Sequence, residues 1–268
     1  MLEINQLSKS VGEKIILDKL EIRLPIGRSL AVVGESGSGK STLAKMIMAL
    51  ARPTSGSISF NGVVAPQHKT SDFKAWYRQI QLVFQNTAAS LDPRMTIMQS
   101  IEEPLRYFTK LEKSDRKQRA AEYADLVGLP SMLLTSLPNQ LSGGQYQRAC
   151  IAKALILKPK LLVCDEIVSN LDVIHQYKII KLLQKLREEQ KLSLVFITHD
   201  LSLVSRLSDQ IMVMKNGRMV ELFNSEALHS EDRHPYTRSL LETAKLIGRR
   251  NEEDSHIADM VKKTTISI

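Results

Sequence analysis

One stretch decides the fold of this chain: Gly34-Glu35-Ser36-Gly37-Ser38-Gly39-Lys40-Ser41-Thr42. It fits the pattern G-x-x-x-x-G-K-[ST], whose glycines let backbone N–H groups wrap around phosphates. In this pattern Lys40 reaches the outer phosphates, and the Ser41 hydroxyl can ligate Mg²⁺. The apolar run Leu30–Val33 before it predicts a buried parallel strand, and residues 43–50 after it have the composition of a helix. Strand, glycine loop and helix in this order predict a nucleotide phosphate site.

Two more apolar runs end in polar residues that suit the same site. Residues 161–164 precede Asp165-Glu166, and residues 192–197 precede Thr198-His199-Asp200. Because parallel strands bind ligands at their carboxyl ends, Asp165 can hold the Mg²⁺ shell and Glu166 can orient the attacking water. His199 can sense the outermost phosphate and help to hold Glu166 and the water in line. An isolated acidic pair is usually solvated and a single histidine is usually structural. The position of Asp165, Glu166 and His199 at strand ends favours a catalytic role over these ordinary ones.

A second phosphate-binding device follows about a hundred residues later, in Leu141-Ser142-Gly143-Gly144-Gln145. Ser142 is a good helix N-cap, and residues 145–157 have apolar positions at helical spacing. Uncovered N–H groups at the positive end of a helix dipole make an anion site. Since the chain already has one complete phosphate cradle, we expect this second device to face a nucleotide held by another subunit.

In this order the motifs make residues 1–243 resemble an ATP-binding-cassette (ABC) ATPase. Residues 34–42 match its Walker A motif, 141–145 its signature, 161–166 its Walker B motif and 169–172 (Ser-Asn-Leu-Asp) its D-loop. Gln85, in Leu82-Val83-Phe84-Gln85, matches the Q-loop glutamine, and His199 matches the switch histidine. The resemblance implies an α/β fold: a P-loop NTPase cassette with a parallel-sheet core, an antiparallel β subdomain and an α-helical signature subdomain.

The resemblance also implies a composite site for ATP and Mg²⁺. In that family two cassettes pair head to tail, and each nucleotide lies between one Walker A motif and the other subunit's signature. The expected contacts in cis are Gly34, Glu35, Ser36, Gly37, Ser38, Gly39, Lys40, Ser41 and Thr42, and those in trans are Ser142, Gly143, Gly144 and Gln145. The expected Mg²⁺ ligands are Ser41, Gln85 and Asp165, and the expected catalytic residues are Glu166, His199 and Gln85.

Composition narrows the class of partner. The 268 residues carry 37 basic and 29 acidic side chains, a net charge of +8, but aromatics are only 5% and are not interleaved with the basic residues. Base stacking on nucleic acid is therefore not expected.

No apolar run approaches the roughly 18 residues of a membrane span, and Met1-Leu2-Glu3-Ile4 lacks a signal-peptide layout. Cys150 and Cys164 lie in apolar context, as reduced core cysteines of a cytosolic protein do.

The remaining pattern predicts the order of elements and the domains. Short strands are expected within residues 2–33 and 57–61, and mostly helices over 86–156, including the charged stretch 110–119 as a solvated face. Asp172 is expected to cap an amphipathic helix through Val173, Tyr177, Ile180, Leu183 and Leu186. Asn216-Gly217 predicts a hairpin between residues 212–214 and 219–220. Residues 1–243 would form the ATPase domain, with the helical subdomain at about 86–156, and 244–268 a mobile C-terminal extension.

Two short segments resemble the peptide and nickel importer branch of the family: Ala89-Ser90-Leu91-Asp92-Pro93-Arg94 and His234-Pro235-Tyr236-Thr237-Arg238. Alone they could be a proline turn and the start of a surface helix. We expect di- or oligopeptide cargo, with nickel or a metal chelate as the alternative that Asn170 favours. Some peptide-importer ATPases carry a C-terminal cysteine cluster for iron and sulfur, and this chain has no cysteine after Cys164.

The branch implies a set of partners. They are a paralogous or identical cassette, two transmembrane permeases whose cytoplasmic helices enter a groove near Gln85, and an extracytoplasmic binding protein. The place implied is the cytoplasmic face of the cell membrane. An exporter ATPase and a soluble cassette acting on DNA or the ribosome are the rival classes. The importer-like segments disfavour the first, and the lack of a long coiled coil or a fused second cassette disfavours the second.

Two positions depart from the family pattern. Val11 stands where relatives often have an aromatic residue that stacks on adenine, so base stacking is expected to be weaker and discrimination between ATP and GTP poorer. Ile167 replaces the proline that often follows the catalytic glutamate, and little effect is expected from this change.

Overall fold

The computed structural model describes residues 1–67, 72–84, 90–167, 173–198, 204 and 207–243. Several predicted features lie outside these residues: Gln85, His199, the D-loop with Asp172, and the extension over 244–268. Within the described ranges, no helix is both long and apolar enough to cross a membrane.

Ten strands run through the described ranges. Their bounds are β1 Leu2–Val11, β2 Lys14–Leu24, β3 Ser29–Val33, β4 Ser55–Phe60, β5 Val63–Val64, β6 Ile80–Val83, β7 Leu161–Asp165, β8 Ser193–Ile197, β9 Gln210–Lys215 and β10 Arg218–Asn224. The principal helices are α1 Lys40–Ile47, α2 Asp72–Gln79, α3 Ile97–Phe108, α4 Lys113–Leu126, α5 Gly143–Leu155 and α6 Val173–Gln190, followed by α7 over residues 235–243.

The strands form two sheets. One has the order β2-β1-β4-β5 and is antiparallel throughout. The other has the order β10-β9-β3-β8-β7-β6, in which β9, β3, β8, β7 and β6 are parallel and β10 is an antiparallel edge strand. Strand β3, which leads into the glycine loop, lies between β9 and β8. The carboxyl ends of β3, β7 and β8 therefore meet at one edge, as predicted.

Alternating residues of the parallel strands face two different cores. Leu161 and Val163 of β7 belong to a cluster with α1 and the antiparallel sheet. Leu162 and Cys164 belong to a second cluster with α3, α4, α5 and α6. Since successive side chains of a strand point to opposite faces, a continuous apolar strand is what a sheet covered on both sides requires.

Both cysteines are buried and free. Burial raises the pKa of the Cys150 thiol to about 12 and also raises the pKa of Cys164. Neither thiol is in the reactive thiolate form at neutral pH, which agrees with the predicted core role.

Several element bounds differ from the predictions. Strands β1 and β2 are long, at ten and eleven residues. Register shifts interrupt their pairing near Gln6 and Lys19 (φ 47° each), and these shifts move the inward-facing positions along the strands. Helix α1 begins at Lys40 rather than at residue 43, so the loop's last residues already form its first turn. It ends by residue 48 because Ala49 takes a left-handed conformation (φ 54°).

Among the side chains of α6 that the structure describes, the predicted apolar face was wrong at Tyr177. Ile179, Ile180, Leu183 and Leu186 are buried, but Tyr177 is 54% exposed. At 100° per residue Tyr177 lies about 200° around the helix from Ile179, and so on the solvent side. The hairpin prediction is confirmed: Asn216 and Gly217 both have positive φ between β9 and β10.

Candidate nucleotide-binding site

A cavity of about 770 Å³ opens at the carboxyl edge of the parallel sheet. The residues around it come from the end of β8, the residue after β7, the glycine loop, the start of β2 and the β9–β10 turn. They are Lys14, Ile15, Ile16, Gly34, Ser36, Gly37, Gly39, Lys40, Ser41, Thr42, Glu166, Ile197, Asn216 and Gly217. The volume falls within the range of sites that bury a small organic ligand.

Two glycines of the loop are required by the close approach of other backbone segments. A Cβ on Gly34 (φ 149°) would lie 2.2 Å from the carbonyl oxygen of Met214, at the end of β9. One on Gly39 (φ 102°) would lie 2.8 Å from the carbonyl oxygen of Ile16. The loop is thus pressed between β9 and β2. The cavity lies on the remaining side, where Gly34, Ser36, Gly37 and Gly39 line it.

Lys40 is buried against the backbone of its own loop. Its Nζ donates to the carbonyl oxygens of Gly34 and Glu35, both at 2.7 Å, and to Ser38 Oγ at 3.3 Å. Burial lowers the pKa of the ammonium group, and the charges of Glu166, Asp165 and Glu35 oppose that shift. The ammonium group is therefore held in the loop by oxygen acceptors, at the edge of the cavity.

Asp165 ends β7 and is 6% exposed. Burial raises the pKa of its carboxyl, whereas a hydrogen bond from Ser41 and the charge of Lys40 act in the opposite direction. A hydroxyl and a carboxylate held together are oxygen donors of the kind that Mg²⁺ takes alongside substrate phosphates. These two residues therefore fit the predicted metal.

Glu166 has a left-handed backbone conformation (φ 50°), and its N–H donates to the carbonyl oxygen of Ile197 at 3.0 Å. A residue other than glycine in this region is uncommon, and such residues concentrate at functional sites. Here the turn directly after β7 brings Glu166 to the cavity, while Asp165 remains part of the strand.

The predicted signature forms the start of α5, beginning at Gly143. Ser142 is the N-cap: its Oγ accepts from the Gln145 N–H at 3.3 Å, and Gln145 Oε1 accepts from the Ser142 N–H at 2.9 Å. This capping box satisfies two donors and leaves the N–H groups of Gly143 and Gly144 for a ligand. None of these four residues lines the cavity described above.

Gly143 has no internal reason to be glycine. Its φ is not in the left-handed region, and a Cβ built there would meet nothing in the described part of the chain within 4 Å. Within the described residues, therefore, no contact requires glycine at this position.

Residues 17–169 match a family model described as ABC transporter. The chain belongs to the ABC transporter family. The matched range contains the glycine loop, the signature and the Asp165-Glu166 pair. As a member of this family, the chain is an ATPase that binds and hydrolyses ATP.

Named relatives and solved structures agree with this assignment. The cassette is 44% identical over 226 residues to the oligopeptide transport ATP-binding protein OppF of Escherichia coli (strain K12), covering 84% of this chain and 68% of OppF. It is 41% identical over 245 residues to the nickel import ATP-binding protein NikE of Brucella suis biovar 1 (strain 1330), covering 90% and 92%. The dimeric ATP-binding cassette MJ0796 bound to ADP and Pi superposes with a TM-score of 0.79 at 30% identity, covering 84% and 99%.

Sequence reasoning missed several residues that line or hold the site. Ile16 and Gly217 line the cavity, and Gly217 also donates its N–H to the carbonyl oxygen of Ser38 in the glycine loop at 3.1 Å. Gln147, on α5, donates to the carbonyl oxygen of Ile167, the residue after Glu166. These contacts join segments far apart in sequence. Only the Asn216-Gly217 turn signal could have indicated one of them.

An apolar groove of about 350 Å³ lies between the end of α1, strand β6 and helix α3. Leu50 and Tyr107 on its walls are 54% and 62% exposed. The groove is lined by Met48, Leu50, Tyr77, Gln81, Leu82, Phe84, Glu103, Pro104, Tyr107 and Phe108. Phe84 immediately precedes Gln85, the residue near which the family resemblance implies a groove.

The segment Ser90–Arg94 packs on the signature helix α5 rather than forming an isolated turn. Tyr146 accepts at its hydroxyl from the Leu91 N–H (3.0 Å), and Lys153 Nζ donates to the carbonyl oxygen of Ser90 (3.2 Å). Lys153 also pairs with Glu103 of the groove at 2.8 Å. The signature helix and the groove are therefore in direct contact.

Proposed function

We propose that this chain is the ATP-hydrolysing subunit of an importer that moves di- or oligopeptides into the cell through partner permeases. The observation that carries the proposal is the 44% identity to OppF, an oligopeptide transport ATP-binding protein. A second candidate cargo is nickel, because a similar identity, 41%, relates the chain to the nickel import protein NikE. The cassette would work at the cytoplasmic face of the cell membrane.

Uptake by a strain that lacks this chain separates the two cargoes. Labelled di- and tripeptides and ⁶³Ni²⁺ are supplied in parallel, and the chain is restored from a plasmid as the control. Loss of peptide uptake alone supports the proposal. Loss of nickel uptake alone supports the second candidate, and uptake of both without change rejects the importer function for these cargoes.

In the proposed site, residues 34–42 and Lys40 hold the phosphates of ATP, and Ser41, Asp165 and Gln85 hold Mg²⁺. The ion would supply positive charge that offsets the negative charge of the phosphates. Glu166 would orient the attacking water, aided by His199 and Gln85. The support from the described residues is that Lys40, Ser41 and Glu166 all line one cavity and that Asp165 is hydrogen-bonded to Ser41.

Hydrolysis would require a second cassette in head-to-tail arrangement, either paralogous or identical. Ser142, Gly143 and Gly144 would then contact the nucleotide bound by the partner, with Gln145 fixing the N-cap. This is supported by the two available N–H donors at the start of α5 and by their absence from the cavity that this chain itself forms. Binding of ATP would close the dimer and so perform mechanical work.

We assign the apolar groove to a short cytoplasmic helix of each permease. A groove of aromatic and aliphatic side chains suits the apolar face of an amphipathic helix. Its walls connect to both halves of the composite site: α1 runs from Lys40 in the phosphate loop to Met48 in the groove, and Lys153 of the signature helix pairs with Glu103. A movement of the phosphate loop or of the signature helix would therefore move the walls of the groove, and with them the docked permease helix.

Leu50→Glu is expected to lower transport at least tenfold while the chain still binds ATP. The carboxylate would have to be buried without a partner when the permease helix docks, whereas in the free chain it is exposed. Transport by the assembled complex and ATP binding by the purified chain are the two measurements. Leu126→Glu, at an exposed position of α4 outside the groove, is the matched control. Equal transport by both variants would contradict the assignment.

Val11→Tyr is expected to tighten ATP binding about fivefold, because stacking of a base on an aromatic ring contributes about 1 kcal/mol or more. Val11 is 65% exposed at the end of β1 and is paired in the sheet with Lys14, which lines the cavity. Affinities for ATP and GTP are compared between the native chain and the variant. Unchanged affinity would mean that the base lies elsewhere, for instance on Ile15 or Ile16.

For the domain organisation we propose an ATPase domain over residues 1–243, with a helical subdomain at about 86–156, and a separate extension over 244–268. Helices α3, α4 and α5 each pack against the other two, which supports the helical subdomain.

A further inference from the structure

The segment His234–Arg238 does more than begin a surface helix. It starts α7, which covers the outer face of β9 and β3 and forms a third core cluster. Tyr236 is 8% exposed, and Thr237 is also buried. Tyr236 and Thr237 are therefore part of the packed interior, beside strand β3, which leads into the glycine loop. In the sequence their motif had indicated only a branch of the family.

The start of α7 is fixed to β10 through one carboxylate. Glu221 Oε2 accepts from the Thr237 hydroxyl at 2.7 Å and from the His234 N–H at 3.1 Å. Its other oxygen pairs with Arg233 at 3.2 Å. Three contacts on one residue determine where the first turn of α7 lies, and hence where Tyr236 points.

Tyr236 reaches the glycine loop. Its hydroxyl oxygen accepts from the N–H of Glu35 at 3.4 Å, and Lys215 Nζ lies 4.2 Å from the centre of its ring. The carbonyl oxygen of the same Glu35 accepts from Lys40 at 2.7 Å. The backbone of Glu35 is thus held from two sides: by the loop's own lysine and by a residue about two hundred positions later in the chain.

The surroundings keep this hydroxyl in its neutral form. Burial raises the pKa of Tyr236, and so does the nearby carboxylate of Glu35. A neutral phenol can accept from the Glu35 N–H and donate to its carboxylate at the same time. The phenol therefore stays in this neutral form across the physiological pH range.

We propose that Tyr236 is a positioning residue that holds the first peptide of the glycine loop in the conformation that binds nucleotide. The proposal rests on the assignment of residues 34–42 to the phosphates of ATP. When only a fraction of the loops is in the competent conformation, the apparent dissociation constant rises in inverse proportion to that fraction. Tyr236 raises the fraction, and α7 becomes linked to nucleotide affinity through it.

Tyr236→Phe tests this, because it removes the hydroxyl and keeps the ring over which Lys215 lies. One net hydrogen bond corresponds to about a fivefold change in an equilibrium constant. We expect the dissociation constant for MgADP, which is not consumed during a calorimetric titration, to rise about three- to tenfold. In the ATPase assay the KM for ATP should rise by a similar factor, with kcat within about twofold of the native value. Tyr123→Phe is the matched control, since Tyr123 on α4 is equally buried but belongs to a different core cluster from Tyr236.

The melting temperature without nucleotide separates positioning from a general loss of stability. If Tyr236 positions the loop, the dissociation constant for MgADP rises in Tyr236→Phe and keeps its native value in Tyr123→Phe. The two variants then have matching melting temperatures. An unchanged dissociation constant, or a fall in kcat alone, would overturn the proposal. Lys40→Ala reports on the loop itself: if it too left MgADP binding unchanged, the assignment of residues 34–42 would fail, and not only the role of Tyr236.

Discussion

Glu166→Gln should leave ATP binding intact and lower ATP turnover by about 10²- to 10⁴-fold, the range for removal of a general base. The amide keeps the size of the side chain and its hydrogen-bonding reach, but it cannot accept a proton from the attacking water. The left-handed backbone of Glu166 and its N–H contact to Ile197 do not depend on the carboxylate, so the variant should fold like the native chain.

Three measurements on this variant belong together. ATP binding is expected at native affinity, turnover is expected to be nearly absent, and size-exclusion chromatography in ATP is expected to show a trapped dimer. Glu226→Gln, at an exposed position that does not line the cavity, provides the control for loss of one carboxylate. Lys40→Ala provides the contrast, because it should weaken ATP binding itself. Substantial turnover by Glu166→Gln would remove Glu166 from its proposed role.

The parts of this site that the sequence predicts are those with local causes. The strand before the glycine loop, the two strands that end at Asp165 and Ile197, and the N-cap at Ser142 each follow from a few neighbouring residues. Glycine spacing, apolar runs and capping residues each determine local structure through residues that lie within about ten positions of one another. The order β3-β8-β7 in the parallel sheet, which the structure supplies, then places the three strand ends next to one another.

The parts that the sequence does not predict depend on contacts between distant segments. Nothing around Tyr236 in the sequence indicates that its hydroxyl contacts Glu35, because that contact exists only once α7 has packed on β9 and β3. The bulges at Gln6 and Lys19 likewise depend on pairing between two whole strands. Tyr177 differs for another reason, because the helical period itself places it on the side of α6 opposite to Ile179.

Gly143→Asp should abolish hydrolysis, by at least about 10²-fold, and leave ATP binding to the same chain unchanged. In the proposed dimer the N–H groups of Gly143 and Gly144 stabilise charge on the partner's nucleotide. Loss of one such donor typically lowers a rate by 10²- to 10³-fold, and a carboxylate here would also repel the phosphates. Nothing in the described part of the chain lies within 4 Å of a Cβ at Gly143, so the melting temperature should not change. Gly143→Asn, neutral and of equal size, measures how much of the effect comes from charge.

Mixing two inactive variants shows in which subunit the signature acts. A chain with Gly143→Asp keeps its own Lys40, and a chain with Lys40→Ala keeps its own signature. In a head-to-tail dimer of the two, one composite site has both an intact lysine and an intact signature, and the other has neither. If the chain pairs with itself, the mixture should therefore recover up to about half of the activity per mixed dimer, although each variant alone is inactive. If the natural partner is a paralogous cassette, the lysine substitution is made in that partner, with the same expected recovery at one of the two sites. An inactive mixture that still forms dimers would mean that the signature contacts the nucleotide of its own chain. That result would contradict the proposed contact between Gly143 and the partner's nucleotide.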